Sequence, residues 1–226
     1  MNTLVIAAAA MAMLATLTLA QDPANEWLGY ATATYPQGTK ITRAEAKWQV
    51  PADPKVPGLF QSPWFGIEST DNLNLIQPVN PWDGARWYGM TEYFQWSPEN
   101  NRDSQTIEAR AGDTLHGTVV YDEATQSYTQ TQNNLRTGQS TSMVVPIQKD
   151  SNGNYKNYDH LWVVYEKVPI VCGQLPASGK VLFFDIEIEF DGKLVTPEWT
   201  TAFVVDKCDN RAQLVNSTSV LLTWNP

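Results

Sequence analysis

Basic and metal-binding side chains are scarce in this chain, and several functions fall away with them. Lys and Arg number 15 against 24 Asp and Glu, for a net charge of -9 and a pI near 4.6. Nucleic acid and anionic membrane surfaces both require a basic patch, so neither is expected as a partner. There are two histidines, His116 and His160, and two cysteines. They are too few and too isolated for a Cys/His cluster, and neither a metal nor another cofactor is expected. No Ser lies in a strand–Gly-x-Ser-x-Gly–helix setting, which removes the nucleophile elbow. Helical periodicity is nearly absent, and there is no internal repeat or low-complexity linker.

What the chain does have is apolar and aromatic content. Of 226 residues, 42% are hydrophobic and 17% charged, enough to bury a full core as one domain. Met1 to Ala20 is an apolar run without Lys or Arg in its n-region, and it reads as a secretion signal preceding a mature domain over 21–226. No other stretch could span a bilayer. A secreted, extracellular monomer with no membrane attachment after signal cleavage is expected. In that setting Cys172 and Cys208 form one disulfide, and Asn216-Ser217-Thr218 is a glycosylation sequon if the host is eukaryotic.

Short alternating or β-branched runs, punctuated by Gly, Pro and Asn, predict strands at 28–34, 42–50, 62–68, 73–77, 87–96, 105–109, 114–121, 127–132, 140–146, 161–168, 180–190, 201–205 and 213–224. So many short strands describe an all-β sandwich or barrel.

The stretch from Trp64 to Glu99 holds Trp64, Trp82, Trp87 and Trp96, with Trp48 just upstream, around one amide, Gln77. Flanked by Leu75, Ile76 and Val79, that amide is either at a solvent-facing strand position or a fixed donor in an aromatic-walled cleft, since a buried amide needs partners. Two carboxylate patterns accompany it. Asp185, Glu187 and Glu189 share one face of a strand by its period of two, and either lie on a solvated outer face or act as a glycosidase pair. Glu166 sits in the aromatic run Leu161-Trp162-Val163-Val164-Tyr165-Glu166, either paired with Lys167 or another base, or raised in pKa and poised as acid or base.

The chain resembles the eqolisin-type glutamic peptidases through most of its mature length. Asn25-Glu26-Trp27-Leu28-Gly29-Tyr30-Ala31 is similar to their N-x-W-x-G-Y-A, and Trp48-Gln49-Val50-Pro51 to W-x-V-P. Trp64-Phe65-Gly66-Ile67-Glu68 is similar to W-V-G-I-D, Leu75-Ile76-Gln77 to the segment carrying the catalytic glutamine, and Tyr93 to Pro98 to Y-x-W-Y-P. Ile107 to Val119 with Gly112-Asp113, and Asn134 to Ser140, complete the series. The resemblance implies a concanavalin-like sandwich of two antiparallel sheets with the site on the concave face. It also implies a glutamate acting as general base on water and a glutamine amide donating to the oxyanion, with no metal. The family's W-I-V-E places the glutamate three residues after tryptophan, whereas here Trp162 is followed three places on by Tyr165 and four places on by Glu166. Either a bulge brings Glu166 into the cleft, or Tyr165 stands there. Pro78 follows Gln77 where the family has Thr-Gly, and Gln95 stands where a Glu is common.

Three functions follow from these residues. The first is an acid peptidase using Gln77 and Glu166. The second is a non-catalytic binder of peptide or carbohydrate with Trp48, Trp64, Trp96, Trp162 and Tyr165 lining the cleft. The third is a glycan-cleaving enzyme using Asp185, Glu187 and Glu189.

Overall fold

A computed structural model describes residues 22–36, 39–56 and 58–226. The expected secretion signal, Met1–Ala20, lies outside the described residues. Among those described, the strands are β1 (Trp27–Thr34), β2 (Ile41–Gln49), β3 (Gln61–Ser69), β4 (Asn74–Val79), β5 (Tyr88–Gln95), β6 (Asn100–Asp103), β7 (Ile107–Glu108), β8 (Thr114–Asp122), β9 (Ser127–Asn134), β10 (Ser140–Pro146), β11 (Tyr158–Lys167), β12 (Lys180–Phe190), β13 (Lys193–Val195), β14 (Thr200–Phe203), β15 (Arg211–Asn216) and β16 (Ser219–Thr223). One 3-10 turn, Cys172–Gln174, is the helical element. No described helix is long and apolar enough to cross a membrane.

The strands form two antiparallel sheets packed as a sandwich. The first runs β14-β1-β11-β3-β4-β5-β6, with β7 on β5, and the second runs β10-β9-β8-β2-β12-β16-β15, with β13 on β12. Alternation explains the core between them. In β2, Ala44, Ala46 and Trp48 point inward with 0% exposure, and β11 contributes Leu161, Val163 and Tyr165. Trp48 packs against Phe65 and Phe183, while Trp82 and Trp87 meet at a steep 60° angle in the same core.

The expected strand over 213–224 is a hairpin. Asn216 Oδ1 accepts from the Thr218 N–H at 2.9 Å and its hydroxyl at 3.1 Å, which turns the chain between β15 and β16. Asn216 is exposed in that turn. Cys172 and Cys208 are joined as a disulfide, tying the 3-10 turn after β11 to the approach to β15. β12 carries a register shift between Phe184 and Glu187, with Asp185 at φ 50°. Asp185 and Glu187 are exposed on the outer face of the second sheet, and Asp185 pairs with Lys47 at 3.0 Å. Of the two readings of Asp185, Glu187 and Glu189, the structure shows the solvated outer strand face and not the glycosidase pair: Asp185 and Glu187 are exposed and Glu189 half-buried on the second sheet.

Candidate active site

The outward face of the first sheet is also buried, and this covered face holds the candidate site. β3 and β4 are buried at every position. Trp27, Trp64, Leu75, Val79, Met90, Trp162 and Val164 form a second apolar cluster there. Trp27 is its hub, meeting Trp64 and Trp162 edge-on at ring distances of 5.0 and 5.1 Å. A register shift in β1 between Trp27 and Tyr30 sets Trp27 opposite Glu166.

Glu166 lies on this face. β11 pairs with β3 without irregularity from His160↔Glu68 to Lys167↔Gln61, so Trp162, Val164 and Glu166 point one way and Leu161, Val163 and Tyr165 the other. No bulge between Trp162 and Glu166 is needed; β11 shifts register only earlier, between Tyr158 and His160, and β1 shifts between Trp27 and Tyr30. Tyr165 does not line the cleft. It is buried between the sheets, its hydroxyl donating to Gln61 Oε1 at 2.9 Å and its ring 4.2 Å from Trp224. Trp48 is likewise a core residue rather than a cleft wall. Lys167 does not pair with Glu166 either, but points inward toward the carbonyls of Leu59 and Val168.

Gln77 and Glu166 line a single cavity of about 180 Å³, together with Asp22, Glu26, Trp27, Phe60, Trp64, Glu92, Phe94, Trp96 and Val168. Trp162 stands behind it in the aromatic cluster. Gln77 is held by two neighbours. Gly66 stands beside it on β3, where a Cβ would lie 2.6 Å from the Ile76 carbonyl oxygen and 2.8 Å from Gln77 Cβ. On the other side its Nε2 donates to Glu92 Oε2 at 2.9 Å, the two residues being directly opposed on β4 and β5. Pro78 supplies no N–H, and the β3–β4 ladder has no paired residues between Trp64↔Val79 and Ile67↔Ile76.

The carboxyls here hold their protons strongly. Burial, then the charge of Glu92, pushes Glu166 up to about 8, against a donated hydrogen bond from Trp64 Nε1 at 3.2 Å. Burial, then the charge of Asp103, pushes Glu92 up to about 7, opposed by the Gln77 amide. Glu68 is pushed up to about 9, by burial and then by the adjacent Asp22. Glu68 Oε2 accepts from Trp162 Nε1 and Asn72 Nδ2, both at 2.8 Å, while Asp22 Oδ2 accepts from Trp96 Nε1 at 3.2 Å. The remaining oxygens, Glu68 Oε1 and Asp22 Oδ1, are buried with no donor. A proton shared between these two carboxyls satisfies both.

Glu92, Asp22, Glu68 and Trp27 escape the sequence-based reading. The signal for Glu92 is the alternation Glu92-Phe94-Trp96, which faces the cavity; Gln95, one position off, points inward, accepting from Tyr93 OH and donating to the Pro98 carbonyl, both at 2.6 Å. Among the described residues no group of three or more His, Cys, Asp or Glu is arranged to hold a metal ion.

The fold has known counterparts. Similar solved structures include scytalido-glutamic peptidase with a transition state analog inhibitor (19% identity, 88% of this chain and 98% of that chain, TM-score 0.68). They also include SCP-B, a member of the eqolisin family, with the tripeptide Ala-Ile-His (17%, 88% and 98%, 0.64). A third is aspergilloglutamic peptidase from Aspergillus niger (22%, 74% and 99%, 0.53). No curated protein matches the chain. The model of the Peptidase A4 family matches residues 25–223, and the chain belongs to that family, the eqolisin-type glutamic peptidases.

Proposed function

We propose that the protein is a secreted acid endopeptidase in which Glu166 is the general base and Gln77 the oxyanion donor. The observation that carries this reading is the shared cavity: a carboxyl and an amide, on β11 and β4, face one aromatic-walled space. Glu166 takes a proton from water as the water oxygen attacks the scissile carbonyl carbon. The oxyanion so formed accepts from the Gln77 amide, and on collapse the C–N bond breaks as the proton passes from Glu166 to the leaving amine. Trp64 and Trp96 are walls for substrate side chains, and Trp162 backs them. Scytalido-glutamic peptidase has been solved with a peptide based transition state analog, and a polypeptide is the substrate proposed here.

The pH range follows from the carboxyls. β11 and β5 are three strand spacings apart, about 14 Å at the backbone, and their side chains Glu166 and Glu92 reach into one cavity. Ionising both is disfavoured, so the pair works with one proton between its members. In the free protein that one-proton form appears as the first proton leaves near about 7 and is lost as the second leaves near about 8, so cleavage at acid pH requires that bound substrate draw the first proton off at lower pH. The test is digestion of a denatured protein across pH 2–8 by wild type, Gln77→Ala and Glu166→Gln. Cleavage by wild type with loss of about 10²–10³ in turnover for Gln77→Ala supports the assignment. No cleavage at any pH, with peptide or oligosaccharide quenching tryptophan fluorescence, transfers the reading to a binding protein.

A further inference from the structure

The ionisable groups that line the cavity are all acidic: Asp22, Glu26, Glu92 and Glu166, with no Lys, Arg or His beside them. Three of the four are occupied. Glu92 takes the Gln77 amide, Glu166 the Trp64 indole, and Asp22 the Trp96 indole and Glu68. Glu26 is half-buried, and among the described residues no side chain pairs with its carboxyl. Its main chain is what is fixed. The Glu26 carbonyl accepts from the Lys167 N–H at 3.0 Å, and the next N–H along, that of Val168, donates to the Phe60 carbonyl at 3.0 Å. Because β11 lies between β1 and β3, its end carries Glu26 on one side and Phe60 on the other. Phe60 and Val168 are apolar, 38% and 37% exposed, and both line the cavity.

We propose that Glu26 is a specificity-determining residue: with Phe60 and Val168 it forms a subsite for a Lys or Arg side chain of the substrate, close to the scissile bond. This inference rests on the peptidase reading given above and adds a substrate class to it. The chemistry of the three residues supports it, because a half-exposed apolar pair flanking an unpaired carboxylate matches a side chain with an aliphatic stem and a cationic head. The stem covers Phe60 and Val168, and the head reaches Glu26. The spacing supports it as well. Val168 is two residues beyond Glu166, a step of about 7 Å along an extended chain, so a substrate strand crossing Glu166 brings a residue within about two positions of the cleaved bond to this end of the cavity. Glu26 is also within electrostatic reach of the base: after burial and the charges of Glu92 and Asp22, its charge contributes to holding the Glu166 proton. A substrate cation seated there offsets that charge, in the direction that ionises the base.

Two readouts test this, one of them independent of activity. The probes are short peptides that carry Lys, norleucine or Glu at one position at a time on either side of a fixed bond, norleucine supplying the stem without the charge. In the kinetic arm, wild type at pH 5.5 should favour Lys over norleucine at one position by about fivefold in kcat/KM, the size of a partly exposed ion pair. That ratio should fall to about one in Glu26→Gln, and the preference should pass to Glu in Glu26→Lys; both variants keep the main-chain bond to Lys167. In the binding arm, the same peptides are titrated into Glu166→Gln by quenching of tryptophan fluorescence, where no turnover is needed. Kd should be about fivefold lower for Lys than for norleucine, and equal for the two once Glu26→Gln is added. No Lys preference at any position in the binding arm, or a Lys preference that survives Glu26→Gln in either arm, overturns the proposal. A Glu26-dependent Lys preference in binding, with a wild type that cleaves no peptide, leaves the subsite intact and overturns the peptidase reading alone.

Discussion

Glu68 offers a prediction with an unusual sign. Its carboxyl is fully buried on the covered face of the first sheet and pushed up to about 9 from an ordinary 4.5. The folded protein keeps that proton over a range in which the unfolded chain has released it. Stability from Glu68 is therefore fully present below pH 4.5 and is lost as pH rises through about 9. Each pH unit inside that window costs about 1.4 kcal/mol per retained proton, so between pH 5 and 8 this residue alone removes up to about 4 kcal/mol. Asp22, also raised by burial, acts in the same direction. Glu68→Gln isolates the effect. The amide oxygen still accepts from Trp162 and Asn72, and the new NH₂ donates to Asp22, leaving Asp22 free to ionise. Urea unfolding of wild type and Glu68→Gln at pH 5, 6.5 and 8 is the assay. Wild type should lose midpoint steadily, and the variant should hold it, ending more than about 1 M urea ahead at pH 8 for an m-value of about 2–3 kcal/mol/M. A wild type that gains stability between pH 5 and 8, or a variant with the same slope, refutes the shared-proton pair.

Three further outcomes are expected. Gly66→Ala should displace β4, because its Cβ would lie 2.6 Å from the Ile76 carbonyl oxygen; kcat should fall by at least about tenfold with the disulfide and fold retained, read by kinetics beside circular dichroism. Tyr165→Phe leaves Gln61 Oε1 buried without its donor and should cost about 1–3 kcal/mol in urea unfolding while turnover persists; loss of turnover without loss of stability would return Tyr165 to the cleft. Replacing Cys172 and Cys208 together by Ser opens a loop of sequence separation 36 and should cost about 3–4 kcal/mol, measured the same way.

The legibility of this chain differs from strand to strand for a physical reason. β2 and β12 are wet on one side, so their alternation shows in the sequence, and the small-large series Ala44, Ala46, Trp48 marks an inward face. β3 and β4 are buried on both faces, which erases alternation and leaves the direction of Trp64 and Gln77 undetermined by pattern alone. For β11 the motif spacing from Trp162 allowed Tyr165 or Glu166; the regular pairing with β3 decides it, since residues four apart share a face and residues three apart do not. The tryptophans misled in the same way: Trp48, Trp82 and Trp87 cluster with the others in sequence, yet these three pack in the core between the sheets, Trp48 from the second sheet, while Trp64 and Trp162 lie on the far face of the first.

The carboxylates carry the more general argument. Asp185, Glu187 and Glu189 make the conspicuous pattern, and regular repetition is what a solvated face produces, because each position there is free to be charged. Glu68, Glu92 and Glu166 occur singly among Ile, Tyr, Phe and Trp. A lone carboxyl in such company is either paired with a cation or holds a proton beyond the ordinary carboxylate range. Here the partners of all three are indole N–H groups, amides and other carboxyls. That choice keeps the carboxyls able to gain and lose a proton, where a buried lysine or arginine would hold them permanently ionised. Lys167 shows the contrast: adjacent to Glu166 in sequence, it is turned to the opposite face of β11 and buried against carbonyl oxygens, so this cation is kept away from the Glu166 carboxyl.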